Sequence, residues 1–302
     1  MDNEYEIIVA GGGIAGLTAG LTAARLGRRV LVLTGDQLGG NLLSIEKIEG
    51  FPGFAEGVAG FELCPSTQMQ AAEAGCEFET TEIQAFDGGP GAWVVKTAEG
   101  DYTAKSLILA TGASLKSLGI PGEEDFKGRG VSHCASCDAP LLRGQPAVVV
   151  GGGDSALQEA LTLANAGAPV TIVQKGAELT AQAAYRDRVA AEDKITVRCN
   201  ESVAEIVGSD GVDGVKLASG ETIPAGGVFV YIGFAPNTAY LDGKAKLDER
   251  GALITDTALA TNLEGVFAAG AIRAGWAGRA AASAGEGATA AIAADTYLKT
   301  NA

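Results

Sequence analysis

Two cysteines stand three positions apart in Cys134-Ala135-Ser136-Cys137, and Asp138 follows them directly. Two intervening residues let the thiols close a small disulfide ring, and such motifs often contain a thiol with a lowered pKa. Because the thiolate is the attacking species in thiol–disulfide exchange, one of the two cysteines must be accessible. A carboxyl group beside the pair can move protons to and from a leaving thiolate. The spacing therefore predicts a redox-active disulfide.

A structural zinc site is the main alternative for this pair, because two cysteines at this spacing can form half of a zinc ligand set. The sequence lacks the other half, since it has no second Cys-x-x-Cys and His133 is its only histidine. We therefore predict no metal site. His133 adjoins Cys134, so it either tunes the thiolate or lies beside the pair without a redox role. The isolated cysteines, Cys64, Cys76 and Cys199, are expected to be structural thiols.

A glycine-rich turn at 11–16 is the first element that could bring electrons to the pair. It follows an apolar run at 6–10 that predicts a buried strand, and it precedes a segment with helical spacing and a second apolar run. Gly11 permits the tight turn, Gly13 lets the backbone approach a pyrophosphate, and Gly16 lets the helix pack on the strand. The N-terminus of the helix offers free N–H groups to that pyrophosphate. The pattern predicts a dinucleotide-binding βαβ unit.

The same pattern recurs 140 residues later, as GGGDSA at 151–156. A strand precedes this turn, a helix and another strand follow it, and Ala156 takes the third small position. One such match would be weak, but two in a single chain favour two dinucleotide folds. The predicted fold is therefore α/β, with two Rossmann-like (three-layer ββα) domains, the second inserted into the first.

Composition limits the classes of partner. The chain has 302 residues, enough for two domains at roughly 150 residues each. Its formal net charge of −15 disfavours nucleic acids and anionic lipids as partners. The sequence has neither an apolar run of transmembrane length nor the positively charged start of a signal peptide, so we expect a cytoplasmic protein without a membrane role. An Ala-rich stretch at about 278–298 predicts a closing helix that packs on the first domain or on a partner subunit.

These and further motifs resemble the low-molecular-weight thioredoxin reductases of the bacterial type. The resemblance extends over nearly the whole chain and rests on the order and spacing of its motifs. They are GGGIAG at 11–16, Thr34-Gly35, Gly39-Gly40-Asn41, Phe51-Pro52-Gly53, Ala110-Thr111-Gly112-Ala113, the segment 134–138, GGGDSALQEA at 151–160, Ile232-Gly233-Phe234-Ala235-Pro236-Asn237 and the strand at 265–270.

The resemblance implies an FAD-dependent disulfide oxidoreductase that forms a homodimer. Residues 1–113 and 243–302 would form the FAD-binding domain, and the inserted residues 114–242 would form a pyridine-nucleotide-type domain with the cysteine pair. Cys137 would face the flavin, Cys134 would exchange with the substrate, and Asp138 would be the acid/base. The partner would be a thioredoxin-like protein or a small dithiol or disulfide.

The same resemblance implies two sets of cofactor-binding residues. The residues expected to bind FAD are Gly11, Gly13, Ile14, Ala15, Gly16, Thr34, Gly35, Gly40, Asn41, Ala110, Thr111, Gly112, Gly270, Ala271, Arg279 and Ala280. The residues expected to bind the second dinucleotide are Gly151, Gly153, Asp154, Ser155, Ala156 and Lys175.

One departure from the family falls where NADPH would bind. The family has His-Arg-Arg and a further Arg four residues on, which grip the 2′-phosphate, whereas this chain has Gln174, Lys175, Gly176 and Thr180. Losing two charged hydrogen bonds of roughly 1.5–3 kcal/mol each should weaken NADPH binding by orders of magnitude. The donor could instead be NADH, a ferredoxin or another flavin. The second fold could accordingly hold NADH, weakly bound NADPH or a second flavin.

A second group of departures falls where the flavin would bind. Ala271 stands where the family has Asp, Gly278-Arg279-Ala280 replaces Arg-Gln-Ala, and Gly50 replaces an Asn ahead of Phe-Pro-Gly. We expect Arg279 to point at the N1/O2 edge of the flavin, where a positive charge stabilises the reduced form. The flavin pocket is therefore predicted to be remodelled.

Two other functions remain open. A dithiol oxidase would take electrons from a small dithiol and pass them to oxygen, without a nicotinamide. A flavin-binding sensor or partner module would need no turnover, but the cysteine pair and Asp138 argue against it. The sequence favours a disulfide oxidoreductase that acts on a thioredoxin-like protein with a donor other than NADPH.

Overall fold

The computed structural model describes residues 3–142 and 144–301. Its strands are β1 (Glu4–Ala10), β2 (Val30–Leu33), β3 (Glu77–Glu79), β4 (Ala85–Gly89), β5 (Ala92–Thr97), β6 (Gly100–Leu109), β7 (Ala113–Leu115), β8 (Val131–Ser132), β9 (Ala147–Val150), β10 (Val170–Gln174), β11 (Ile195–Cys199), β12 (Val203–Gly208), β13 (Val212–Leu217), β14 (Thr222–Pro224), β15 (Gly227–Val230), β16 (Phe234–Pro236) and β17 (Val266–Ala268). Its α-helices are α1 (Ile14–Arg25), α2 (Gly60–Glu73), α3 (Ala135–Leu142), α4 (Asp154–Asn165), α5 (Ala183–Ala190) and α6 (Ala280–Thr300).

The chain divides into two units. Unit 1 comprises Met1–Ser114 and Ala235–Ala302, and unit 2 comprises Leu115–Phe234. The second boundary lies eight residues before the one expected from the sequence (234 against 242). Residues 235–242 belong with unit 1 because Asn237 and Thr111 exchange hydrogen bonds and because Leu241 is buried in a core of unit 1.

Unit 1 is built on a sheet with the strand order β3-β2-β1-β6-β5-β4. β1, β2, β3 and β6 run parallel, whereas β5 and β4 add an antiparallel edge. β17 pairs in parallel with the carboxyl end of β6. Successive side chains of β1 point to opposite faces of the sheet, so Ile7 and Val9 join one core while Ile8 and Ala10 join another.

Helices α1 and α6 cover the face of the unit 1 sheet that carries Ile7 and Val9. Small residues let these helices approach closely, since a Cβ at Gly287 of α6 would lie 2.1 Å from the carbonyl oxygen of Ala15 in α1. The Ala-rich stretch therefore forms a helix that packs within unit 1. In the described part of the chain, no helix is long and apolar enough to cross a membrane.

Unit 2 contains a sheet with the order β11-β10-β9-β15-β8, in which every neighbouring pair is parallel. Side chains of β9 and β15 are buried along the whole of both strands, as expected when a parallel sheet is covered on its two faces. A small antiparallel sheet, β12-β13-β14, packs against one face, and α3, α4 and α5 cover the other. The α/β prediction with parallel sheets is confirmed.

Candidate functional site

The first glycine-rich turn lies in unit 1 between β1 and α1. Gly11 has a φ of 122°, and a Cβ at this position would lie 2.1 Å from the carbonyl oxygen of Ala110. A Cβ at Gly16 would lie 1.8 Å from the carbonyl oxygen of Gly11, so only glycine lets the helix start against the turn. Around Gly13, by contrast, there is no atom within 4 Å of where a Cβ would be. The turn therefore packs tightly against neighbouring backbone at Gly11 and Gly16, and it leaves space for a ligand at Gly13, where α1 begins.

The open end of α1 has the chemistry of a pyrophosphate site. Gly13 is the N-cap and makes no side-chain capping hydrogen bond, and the first turn contains no acidic residue. The first N–H groups of an α-helix, here those of Ile14, Ala15 and Gly16, have no acceptor within the helix. A Cβ on Gly40 would come within 4.0 Å of the Gly13 Cα, so this glycine lines the same opening. These residues fit the pyrophosphate of FAD.

Residues at the carboxyl ends of β2 and β6 surround this turn. Gly11 donates its N–H to Leu33 O at 2.8 Å, and Gly12 donates to Thr34 O at 3.2 Å. Gly35 follows with a φ of 72° and donates its N–H to Thr81 O. These bonds fix the turn to the edge of the sheet where Rossmann-type folds bind their ligands.

The segment after β6 is held by side chains from two distant stretches. Asn41 Nδ2 donates to Ala113 O at 2.6 Å. Thr111 Oγ1 donates to Asn237 O, and Asn237 Nδ2 donates back to Thr111 O, each at 2.9 Å. Between them, Gly112 has a φ of 70°. The structure thus brings the expected FAD residues of the first half of unit 1 to one edge of its sheet.

The expected flavin residues from the second half of unit 1 occupy two places. Gly270 lies against α1, since a Cβ there would come 2.9 Å from the Ala15 Cβ, and Ala271 follows it in a 3-10 turn, Gly270–Ile272. Arg279 is the exposed N-cap of α6, and Ala280 is the first residue of the helix. A cavity of about 260 Å³ lies there, lined by Ile48, Glu49, Gly50, Phe51, Arg279, Ala280, Ala281 and Ala282.

Two of the positions at which the sequence differs from the thioredoxin reductase pattern line this cavity. Gly50 and Arg279 are more than 200 positions apart in the chain, yet both line it. The mostly apolar lining and the adjacent N-terminus of α6 suit the ring of a flavin, whose N1/O2 edge becomes negative on reduction.

The second glycine-rich turn lies in unit 2 between β9 and α4. Gly151 has a φ of 130°, and a Cβ there would lie 2.1 Å from Tyr231 O. Gly153 is the N-cap of α4 and again makes no side-chain capping bond. Ala156 is fully buried and Ser155 is exposed, so the third position tolerates a methyl group. The backbone arrangement of the first turn is therefore repeated.

The first turn of α4 differs from that of α1 because it contains a carboxylate. Asp154 accepts hydrogen bonds from the backbone N–H and from Nε2 of Gln182, both at 2.8 Å. Thr180 and Ala181 donate their N–H groups to Gly152 O at 2.8 and 3.0 Å. The segment after β10 is therefore held firmly against the turn.

The residues that would meet a 2′-phosphate lie in this segment. The Gln174 side chain covers Gly152, where a Cβ would come 2.7 Å from Gln174 Cδ, and its Nε2 donates to Glu178 O at 3.1 Å. Lys175 and Gly176 are exposed. Lys175 is the only basic residue in 174–180, and Glu178 adds a negative charge. A guanidinium fork for phosphate is therefore absent from these described residues.

The cysteine pair forms a disulfide, Cys134–Cys137, at the start of α3 in unit 2. Cys134 Sγ accepts the N–H of Cys137 at 3.3 Å, so the sulfur takes the place of an N-capping side chain. Cys137 is exposed, whereas Cys134 and Asp138 are half-buried. Asp138 donates its N–H to Cys134 O at 3.2 Å, within the same helical turn. A thiolate at Cys134 would be stabilised by the helix N-terminus.

Two residues near the pair were missed by sequence reasoning. Glu159 of α4 accepts the Ala135 N–H through Oε2 at 2.9 Å, so a carboxylate also lies at the start of α3. The buried hydroxyl of Tyr231 lies close by, and its burial together with the Glu159 charge raises its pKa. Both lie far from the pair in sequence, and no local motif marks them.

His133 has a structural partner, and the remaining cysteines are free thiols. His133 Nδ1 lies 2.9 Å from Val230 O, which fixes the ring on β15 and not on the disulfide. Cys64 and Cys76 are buried free thiols of unit 1, and Cys199 is a half-buried free thiol of unit 2. Among residues 3–142 and 144–301, no cluster of His, Cys, Asp or Glu could hold a metal ion.

Known proteins similar to this chain match it over nearly its whole length, and they are disulphide oxidoreductases. The pyridine nucleotide-disulphide oxidoreductase family model matches residues 5–294. A thioredoxin reductase of Treponema pallidum is 37% identical over 305 residues, which cover 99% of each chain. The solved thioredoxin reductase of Lactococcus lactis aligns with a TM-score of 0.93 at 33% identity, covering 98% of this chain and 99% of that one. The ferredoxin-flavin thioredoxin reductase of Clostridium acetobutylicum aligns at 0.54 and 28% identity, covering 98% and 99%.

Proposed function

Since the chain belongs to the pyridine nucleotide-disulphide oxidoreductase family, among the low-molecular-weight thioredoxin reductases, and is a flavin-dependent disulfide oxidoreductase, we propose that it passes electrons through FAD and Cys134–Cys137 to a thioredoxin-like disulfide. The observation that carries this proposal is the position of the disulfide. It lies at the N-terminus of α3, where Cys134 Sγ accepts a backbone N–H and Asp138 follows within one turn.

In the proposed exchange, the reduced pair transfers two electrons to the partner. The Cys134 thiolate attacks the partner disulfide, and a mixed disulfide forms while one partner thiolate leaves. Cys137 then attacks Cys134, which re-forms Cys134–Cys137 and releases the second partner thiolate. Asp138 protonates the first leaving thiolate, takes up the proton that Cys137 loses as it attacks, and passes that proton to the second leaving thiolate. It is protonated again when the pair is next reduced.

FAD is proposed to bind in unit 1. When bound, it would accept electrons from the donor and pass two of them to the disulfide. The N-terminus of α1, with the residues from Gly11 to Gly16, would hold the pyrophosphate, and Thr34, Asn41 and Thr111 would close the same edge of the sheet. Arg279 and the N-terminus of α6 would place positive charge at the flavin.

The proposed donor is not NADPH. Unit 2 retains the backbone of a dinucleotide site, but Gln174, Lys175 and Gly176 offer a 2′-phosphate only one charged group. Folds that bind NADH place an acidic residue at this position to accept a hydrogen bond from the ribose 2′-hydroxyl, and the side-chain oxygen of Gln174 can accept the same bond. NADH is one candidate donor, and another flavin is a second. A reduced ferredoxin is the third, in line with the ferredoxin-flavin enzyme to which the chain is similar.

The proposed setting is a cytoplasmic homodimer with a thioredoxin-like partner. The free thiols Cys64, Cys76 and Cys199 suit a reducing compartment. Exposed apolar side chains in unit 1, among them Phe61, Met69 and Ile292, suit burial against a second copy. Sedimentation equilibrium of the FAD-loaded protein at micromolar concentration tests this, and a monomer would contradict it.

The exchange step can be tested apart from the donor. Protein reduced with limiting dithionite under anaerobic conditions should convert a thioredoxin disulfide to its dithiol, with one disulfide reduced per pair. The Cys137→Ser variant should trap a mixed disulfide at Cys134, visible by mass spectrometry. Trapping only by Cys134→Ser would reverse the two roles. Peroxide formation from a small dithiol, with no transfer to thioredoxin, would assign a dithiol oxidase instead.

A further inference from the structure

One carboxylate of unit 1 stands where three segments meet. Glu286 of α6 accepts the backbone N–H of Gly270 through Oε2 at 2.7 Å. Gly270 itself lies against Ala15 at the start of α1, and the next residue of α6, Gly287, lies against the Ala15 carbonyl oxygen. Glu286 therefore joins α6 and the 3-10 turn at Gly270–Ile272 beside the first turn of α1.

Arg273 pairs with this carboxylate through both arms of its fork. Nη2 donates to Glu286 Oε1 at 2.7 Å, and Nε donates to Oε2 at 3.2 Å. Nη1 donates to Thr255 Oγ1 at 2.7 Å and to Ala274 O at 3.3 Å, which fixes the guanidinium from its other side. The two side chains are only 13% and 16% exposed. A bidentate pair with this little exposure has a defined geometry.

We propose that the Arg273–Glu286 pair is a positioning element for FAD, which fixes the Gly270–Ala271 backbone beside the N-terminus of α1. The proposal rests on the part of the proposed function that places FAD in unit 1. Ala271 has no polar side chain, so at this position only the backbone can donate hydrogen bonds to the cofactor. The Glu286 bond to the Gly270 N–H, with a φ of 79° at that glycine, sets the direction of this backbone.

The charge balance of the pair matters as much as its geometry. An anion at the start of α1 is attracted by free N–H groups and by the helix dipole. A carboxylate next to this region would repel the pyrophosphate if it stood alone. Arg273 neutralises Glu286, so the carboxylate can hold the backbone without opposing the cofactor.

Substitution of Arg273 and substitution of Glu286 should weaken FAD binding to different extents. Arg273→Met leaves a buried carboxylate beside the site and should weaken FAD binding roughly tenfold or more, the equivalent of about 1.4 kcal/mol. Glu286→Gln keeps an acceptor for the Gly270 N–H and should weaken binding less. The double variant should resemble Glu286→Gln, because no unpaired carboxylate remains.

The measurement is the dissociation constant of FAD, obtained from flavin fluorescence on adding FAD to the deflavinated full-length protein. Thermal unfolding with and without FAD gives the stability of each variant. The matched control is Arg28→Met, because Arg28 pairs with Asp295 farther along the same helix and is comparably buried. This control should lower the unfolding temperature and leave FAD affinity unchanged. Arg273→Lys, which keeps the charge and loses the fork, serves if Arg273→Met does not fold.

Equal FAD affinity in the parent, Arg273→Met and Glu286→Gln proteins would overturn the proposal and leave the pair a structural link. The same holds if Arg28→Met loses FAD as readily as Arg273→Met does. In the Arg273→Lys protein, unchanged affinity would also contradict it. The proposed thioredoxin exchange is judged separately, because chemically reduced Cys134 and Cys137 can exchange with a disulfide in the absence of FAD.

Discussion

The two glycine-rich turns hold their backbones in the same way but carry different side chains. Gly11 and Gly151 have φ values of 122° and 130°, and at each a Cβ would lie 2.1 Å from the carbonyl oxygen of a neighbouring segment. Gly13 and Gly153 are both open N-caps of the following helix. The backbone half of a dinucleotide site is therefore present twice.

The side chains around the two turns, by contrast, are different. The first turn of α1 has no acidic residue, whereas that of α4 contains Asp154, which Gln182 binds twice. Beyond β10, Gln174 covers the turn at Gly152, and Lys175 is the only basic residue in 174–180. Glycines therefore decide whether a pyrophosphate can approach, while the residues after the next strand decide which nucleotide is accepted.

The largest expected effect comes from replacing the first glycine of each turn, because the two replacements should abolish the binding of different cofactors. Gly11→Ala and Gly151→Ala each place a Cβ on a carbonyl oxygen at positive φ, at a cost of about 1–3 kcal/mol from backbone strain alone. Gly11→Ala should yield protein without FAD, whereas Gly151→Ala should keep FAD and lose dinucleotide binding in unit 2. Flavin content and fluorescence titration measure this. Loss of FAD in Gly151→Ala would break the assignment.

Introducing basic residues after β10 should increase the affinity of unit 2 for NADPH relative to NADH. Gln174→Arg combined with Gly176→Arg supplies two guanidinium groups and should tighten NADPH binding roughly 10- to 100-fold per charged hydrogen bond. NADH binding should hardly change. Ala218→Arg combined with Thr222→Arg, which adds the same two charges at exposed positions after β13 and on β14, is the matched control and should leave NADPH binding as it is. Equal gains from the control would mean that net charge, and not position, limits NADPH.

A smaller effect is expected from the carboxylate at the start of α3. Glu159→Gln keeps an acceptor for the Ala135 N–H but removes a negative charge, so it should lower the pKa of the Cys134 thiol in the reduced protein. At about 0.3–1 kcal/mol for a charge at a helix N-terminus, alkylation by iodoacetamide at pH 7 should rise about two- to fivefold. Glu205→Gln on β12 is the control. Slower alkylation in Glu159→Gln would contradict the capping role.

A separate effect, on stability and not on the site, concerns the buried thiols of unit 1, in contrast to the open pair of unit 2. Burial raises the pKa of Cys64 to about 11 and of Cys76 to about 12, from an ordinary value of 9.0. The unfolded chain therefore loses these protons first, and stability present below pH 9 is lost as pH rises towards 11 and 12. Urea unfolding at pH 8 and pH 10, compared with a Cys64→Ala/Cys76→Ala variant, measures it. An equal pH dependence in both proteins would contradict it.

The features that the sequence predicts are those determined by residues close together in the chain. The turns at 11–16 and 151–156 were predicted because a strand, its glycines and a helix lie side by side in the chain. The disulfide spacing is local in the same sense, and the α/β fold follows from the repeated pattern. The family resemblance added the expected residues around Thr34, Asn41 and Thr111, which no local pattern would connect.

The contacts that sequence reasoning missed join distant residues. Glu159 reaches Ala135 over 24 positions, and Arg273 meets Thr255 over 18. These pairings depend on how distant segments of the chain pack together, which no motif encodes. The end of unit 2 at Phe234, and not at the expected 242, has the same kind of cause, because Asn237 is bonded to Thr111 of unit 1 over 126 positions.

The most direct measurement is an anaerobic titration of the FAD-loaded protein with NADPH, NADH and reduced ferredoxin, followed by flavin absorbance. We expect micromolar NADPH to leave the flavin oxidised over seconds. At least one of the other donors should bleach it, and the protein should take up four electrons per chain, two for the flavin and two for Cys134–Cys137. Rapid bleaching by micromolar NADPH would contradict the proposed choice of donor, and an uptake of only two electrons would contradict electron transfer from FAD to Cys134–Cys137.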